Sequence, residues 1–173
     1  MLSRSILSVV VASAALQAVE IGAPLPALKG EFLTGRQATL PADAKGKPAL
    51  LALGFTYKSR FAVEEWVKNF RADFDNEPRA TFFEVPMLGG MAVMGKWFID
   101  SGMRRGTPKA DHEHVITVYS GSGGWKKLLN YNSPDAAYLL LLDKQGIVVW
   151  KHTGEFDKTK YDELAAKLKS LLP

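Results

Sequence analysis

Two short stretches of this 173-residue chain hold side chains that could do chemistry. The first is the polar turn Thr56-Tyr57-Lys58-Ser59-Arg60. It lies between an uninterrupted apolar run at residues 49–55 and a helical apolar series that starts near Phe61. Hydroxyl and cationic groups at the start of a helix favour anions, because unpaired backbone N–H groups point that way. A serine nucleophile would also need a base within reach, and no histidine is close to Ser59 in sequence. The plainer role for Ser59 is to cap the helix. The second stretch is Asp111-His112-Glu113-His114. In an extended strand His112 and His114 would share one face. A His-x-His pair holds a metal only when a further ligand arrives from elsewhere, and His152 is the only other histidine. No metal is therefore expected, the plainer reading is a solvated loop leading into a strand, and a metal at His112 and His114 is the alternative.

A third segment, residues 87–105, offers binding rather than catalysis. Met87, Met91, Met94, Trp97, Phe98, Ile99 and Met103 run into the basic pair Arg104-Arg105. Methionine-rich surfaces adapt to varied apolar partners, and an arginine pair beside them suits an acidic rim or lipid phosphates. The bland alternative is a helix whose methionines fill the core. The binding candidates are thus Thr56, Tyr57, Lys58, Ser59, Arg60, Met91, Met94, Trp97, Arg104 and Arg105, with a protein as the expected partner.

Composition removes several classes of function. There is no cysteine, so disulfides, thiolate metal sites and thiol catalysis are excluded. No Walker-type or dinucleotide glycine motif is present, and no cofactor is expected. The net charge of +4 is spread along the chain, without the dense basic patch of a nucleic-acid binder.

The elements that must position these residues follow from periodicity. Residues 1–18 have a short basic start at Arg4, an apolar stretch and small residues near a cut, the pattern of a signal peptide. Export is expected, to a periplasmic space, with mitochondrial import as the alternative. Residues 19–45 read as an extended N-terminal arm, with a short strand near 37–40. Residues 46–173 read as one domain. In it, strands are expected at 48–55, 81–85, 115–119, 138–142 and 147–151. Helices are expected at about 61–74, 96–103, 125–129 and 157–172, the last capped by Asp157. This alternation predicts an α/β fold in three layers, a mixed central sheet with helices on both faces.

That element order is similar to the thioredoxin-like superfamily. Locally, Phe55-Thr56-Tyr57-Lys58-Ser59 resembles the peroxiredoxin turn Phe-Thr-Phe-Val-Cys, with Ser59 where the peroxidatic cysteine would stand. Over residues 46–155 the chain resembles the mitochondrial ATP synthase assembly factor family of thioredoxin-like proteins. The likeness rests on Phe61 to Phe70 with Trp66, on Trp97 with Gly102-Met103-Arg104-Arg105, and on Pro108 before His112 and His114. Leu128-Leu129-Asn130 and residues 138–143, closing on 147–150, complete it. The resemblance implies a redox-inactive protein that acts by binding, in assembly of a membrane complex. The alternative is a cysteine-independent enzyme of peroxiredoxin-like ancestry, using Ser59 and Arg60 or a metal at His112 and His114. Thioredoxin-like proteins also carry a cis-proline facing the active turn. The nearest candidate is Pro134, four residues before Tyr138 and further off than that motif expects.

Overall fold

The computed structural model describes residues 18–89 and 94–172. The expected leader up to residue 17, and Met91, lie outside the described residues.

Among the described residues the first elements form a hairpin, β1 (Leu28–Phe32) and β2 (Gln37–Leu40), paired antiparallel from Leu28↔Leu40. β3 (Ala49–Gly54) follows and leads into α1 (Ser59–Phe74). Next come β4 (Thr81–Pro86), α2 (Lys96–Gly106), the two-residue β5 (Ile116–Thr117) and α3 (Ser122–Leu128). β6 (Ala137–Leu142), β7 (Val148–Gly154) and α4 (Lys158–Leu171) complete the fold.

The central sheet has the order β4-β3-β6-β7. β3 and β4 are parallel, and the other two pairings are antiparallel. Both middle strands read as continuous apolar runs because both of their faces are covered. On one face Leu50, Ala52, Leu139 and Leu141 meet Val63, Trp66 and Phe70 of α1 and Leu164 and Leu168 of α4. On the other, Leu51, Leu53, Phe83 and Leu140 meet Trp125 and Leu128 of α3 and Leu28, Phe32 and Leu40 of the hairpin. The three-layer expectation holds, and Asp157 caps α4 by accepting from the Lys160 N–H.

The structure departs from the sequence reading in two elements. The strand near residues 37–40 is present, but it is the second arm of a hairpin whose first arm the periodicity did not reveal. In β1 the interior side chains Lys29, Gly30 and Glu31 carry no apolar alternation, while Leu28 and Phe32 at its ends are buried. The expected strand at 115–119 is reduced to two ladder residues. They pair with β1 rather than extending the central sheet. Isolated parallel bridges at Glu84↔Val115 and Met87↔Val118 join it to β4, so this segment stitches the hairpin sheet to the main one. Among the described residues, no helix is long and apolar enough to cross a membrane.

Candidate functional site: the carboxyl edge of β3 and β4

β3 and β4 run parallel and end side by side at Gly54↔Pro86, where the Met87 N–H bonds the Gly54 carbonyl. Both following connections therefore emerge at one edge of the sheet, the usual place for sites in open α/β folds. The turn of residues 55–58 leaves β3 here, and the connection to α2 leaves β4.

Ser59 is fully buried. Its hydroxyl accepts from the Thr56 N–H at 3.0 Å and donates to the Thr56 carbonyl at 2.8 Å. In return the Ser59 N–H donates to Thr56 Oγ1 at 3.0 Å. The bonds are reciprocal in the manner of a capping box, but they lie in the turn just before α1, where Lys58 is the N-cap residue and makes no side-chain cap bond. Thr56 Oγ1 takes the N–H of Ser59, the first residue of α1, and the expectation that Ser59 itself caps is not met. Thr56 Oγ1 also donates to Asp135 Oδ1 at 3.0 Å, tying the turn to the loop before β6. Lys58 lies 3.9 Å from the other Asp135 oxygen. Both hydrogen-bonding roles of the Ser59 hydroxyl are occupied by Thr56, and among the described residues no base bonds it. Gly54 leaves room for this arrangement: a Cβ there would come within 2.8 Å of Ser59 Oγ.

The loop facing the turn is fixed by aromatic packing. Phe55 meets Tyr131 and Tyr138 edge-on at 5.0 and 5.5 Å, and the Tyr138 hydroxyl accepts from the N–H groups of Asn132 and Ser133. Pro134 sits in this loop with a trans bond. Among the described residues the cis bond is Leu40–Pro41, where the chain leaves β2.

What the turn presents to solvent is aromatic and cationic. Tyr57 is 73% exposed and Phe61 55% exposed. Their rings meet edge-on at 6.1 Å, and the Arg60 guanidinium lies over both, at 4.8 and 5.0 Å. Arg60 also approaches Glu64 at 3.6 Å. Phe61 was not among the binding candidates. Its signal was available in the helical spacing, since it lies opposite the stripe of Ala62, Val63, Trp66, Val67 and Phe70 that faces the sheet.

The second connection divides the methionine-rich segment. Met87 is buried in the core, whereas Met94, Trp97 and Phe98 are exposed. α2 contributes one buried residue, Asp100. Lys96 bridges Asp100 and Glu31, Tyr119 donates to Asp100, and Arg104 donates to the Leu33 carbonyl at 2.6 Å. Burial and Asp100 together push the Tyr119 hydroxyl well above its usual pKa. The helix is held to the body through a polar stripe flanked by the half-buried Ile99 and Met103, while Trp97 and Phe98 fill no core. Fully burying a side chain such as Phe stabilises by about 1.5–3 kcal/mol. Trp97 and Phe98 leave a contribution of that order for something else to realise. Arg105 is exposed at the end of the same helix.

The histidines do not converge. Residues 109–111 form a 3-10 turn, not an extended strand. His112 donates from Nε2 to the Thr107 carbonyl, and His114 donates from Nδ1 to the Phe82 carbonyl, each at 3.0 Å. The His114 ring stacks on Phe82 at 4.4 Å. His152 lies against Trp66 and Trp150. Among the described residues no group of three or more metal-ligating side chains is assembled.

No protein-family model matches the chain, and no curated protein matches its sequence. Solved structures do match its shape. The thioredoxin domain of a thiol-disulfide oxidoreductase from Bacteroides vulgatus superposes with a TM-score of 0.58 at 19% identity, covering 87% of this chain and 99% of that one. The exposed lipoprotein thioredoxin Etrx1 of Streptococcus pneumoniae gives 0.57 at 18% identity, covering 84% and 100%. A thiol peroxidase from Chromobacterium violaceum gives 0.58 at 13% identity, covering 89% and 88%. The fold is thioredoxin-like, and this chain carries it without a cysteine.

Proposed function

We propose that this protein is a redox-inactive member of the thioredoxin-like superfamily that works by binding a protein partner, in assembly of a membrane complex. The observation that carries the reading is the contrast within one turn. Ser59, where a thiol would act, is buried and bonded to Thr56 on both sides, while Tyr57, Arg60 and Phe61 stand exposed beside it. Without a cysteine there is no thiol exchange. An exposed pair of aromatic rings around an arginine is the composition of an interface hot spot. The likeness of residues 46–155 to the ATP synthase assembly factors supports a membrane complex as the setting. The leader pattern, and the similarity in fold to an exposed lipoprotein thioredoxin, support export to a periplasmic space, with mitochondrial import as the alternative.

The test is capture from a detergent-solubilised membrane fraction with the tagged full chain. A reproducible partner is expected, with affinity for an Arg60→Glu/Phe61→Ser variant reduced about thirtyfold, the loss of about 2 kcal/mol that marks a hot spot. Equal capture by the variant would overturn the reading. So would a peroxidase or hydrolase activity of the purified chain that disappears in Ser59→Ala.

A further inference from the structure

α2 lies on the body with its polar side inward. Lys96, Asp100 and Arg104 follow one another at four-residue intervals and so share a stripe. That stripe bonds Glu31, Tyr119 and the Leu33 carbonyl. Beside that stripe Trp97, and on the far side Phe98, Gly102 and Arg105, are all exposed on the 11-residue helix, with Met94 88% exposed just before the first turn. Ile99 and Met103, half-buried, flank the stripe, so Trp97 and Phe98 are the apolar side chains that α2 leaves to solvent.

The charges on this face are one-sided. The only carboxylate of α2 is Asp100, which is buried and paired with Lys96. Glu31, beneath the helix, is taken by the same lysine. What faces outward is therefore aromatic and cationic, and Lys109 continues the exposed positive charge past the helix end. Tryptophan and phenylalanine at the acyl boundary, with arginine at the level of the phosphates, is the chemistry of a helix lying in a bilayer interface.

The geometry points to an anionic lipid surface as the occupant of this face. α2 rests in the headgroup layer, with Trp97 and Phe98 entering the acyl boundary and Arg105 beside lipid phosphates. This goes beyond the protein-binding reading, which concerns the turn at residues 56–61. Neither contact surface is needed to form the other.

Trp97 makes the inference directly readable. It is 79% exposed, while Trp66, Trp125 and Trp150 are at most 9% exposed. The full chain is mixed with vesicles of phosphatidylcholine, with and without phosphatidylglycerol, and followed by tryptophan emission and by flotation. With phosphatidylglycerol, a blue shift, loss of acrylamide quenching and flotation are expected. Trp97→Phe should still float but lose the emission response. Trp97→Ala/Phe98→Ala should no longer float, and Arg105→Gln should partition about fivefold less, from about 1 kcal/mol per basic residue at an anionic surface. All variants share the same N-terminal segment, so differences among them belong to α2. Flotation of Trp97→Ala/Phe98→Ala equal to the parent chain would overturn the inference. Equal binding to phosphatidylcholine alone, an emission shift that survives Trp97→Phe, or Trp97 shielded only by a protein partner would do the same. A chain that captures its partner yet ignores vesicles overturns the lipid contact alone. One that binds vesicles without a partner overturns the protein-binding reading alone.

Discussion

At the scale of the residue, Ser59 turns a position suited to chemistry into a structural joint. A hydroxyl that donates to one backbone group and accepts from another of the same residue has no proton in play and no base to take it. Its removal should be felt in stability. Ser59→Ala leaves the part-buried Thr56 N–H without its acceptor and should destabilise the chain by about 1–2 kcal/mol, the scale of a lost hydrogen bond at a helix start. Urea denaturation would show it as a lower midpoint with an unchanged slope. Gly54→Ala attacks the same joint from the strand, because its methyl group would meet Ser59 Oγ at 2.8 Å. It should cost about 1–3 kcal/mol by overpacking. A Ser59→Ala chain as stable as the parent would mean that the reciprocal bonds contribute nothing.

At the scale of the element, α1 and α2 use opposite logic. α1 places its apolar stripe on the sheet and its polar side in water, so its position is readable from spacing alone. α2 is held by Lys96, Asp100, Tyr119 and Arg104, and little apolar burial backs them. Such a helix should open more readily than the core, since local stability follows buried apolar contacts. Asp100→Ala removes the acceptor of both Lys96 and Tyr119 and should loosen α2 by about 1–3 kcal/mol. Hydrogen exchange is the suitable measurement. Protection is expected to fall across residues 96–106 while β3 and β6 keep theirs. A uniform loss through the sheet would mean that α2 is part of the cooperative core.

At the scale of the molecule, the half-buried Glu84 sets a pH dependence. Burial raises the Glu84 carboxyl from 4.5 to about 7, with Glu64 and Asp111 adding to the shift and Arg71 opposing it. Between those values the folded chain holds a proton that the unfolded chain has released. The contribution of Glu84 is thus fully present below pH 4.5. It falls as the pH rises and is gone above about 7. At 1.36 kcal/mol per unit, the swing is up to about 3 kcal/mol. Glu113, held below the usual carboxylate range by hydrogen bonds from Arg36 and Thr34, acts in the opposite sense and at lower pH. Chemical denaturation from pH 5 to 8 should show stability declining with pH, and Glu84→Gln should flatten the decline. An unchanged slope in Glu84→Gln would assign the effect to another group.

The sequence by itself determined the central layers. Continuous apolar runs at β3 and β6, the helical stripe of α1 and the capped start of α4 each draw on neighbours in sequence, and local periodicity encodes them. It also determined what chemistry is absent, since a chain without cysteine cannot exchange thiols. Only the tertiary structure decided where the candidate site lies and what it offers. The hairpin arm β1 has no apolar alternation, and its pairing with β5 joins residues 31 and 117. Asp135 reaches Thr56 across 79 residues, and nothing in the spacing marks it. His112 and His114 separate because a 3-10 turn precedes them, the nearby Thr107 carbonyl takes one ring and the distant Phe82 carbonyl takes the other. The orientation of α2 was partly written in Lys96, Asp100 and Arg104. Which side of an amphipathic helix faces inward nevertheless depends on the partners waiting for it, and Glu31, Leu33 and Tyr119 reach it only when the hairpin and β5 have come together.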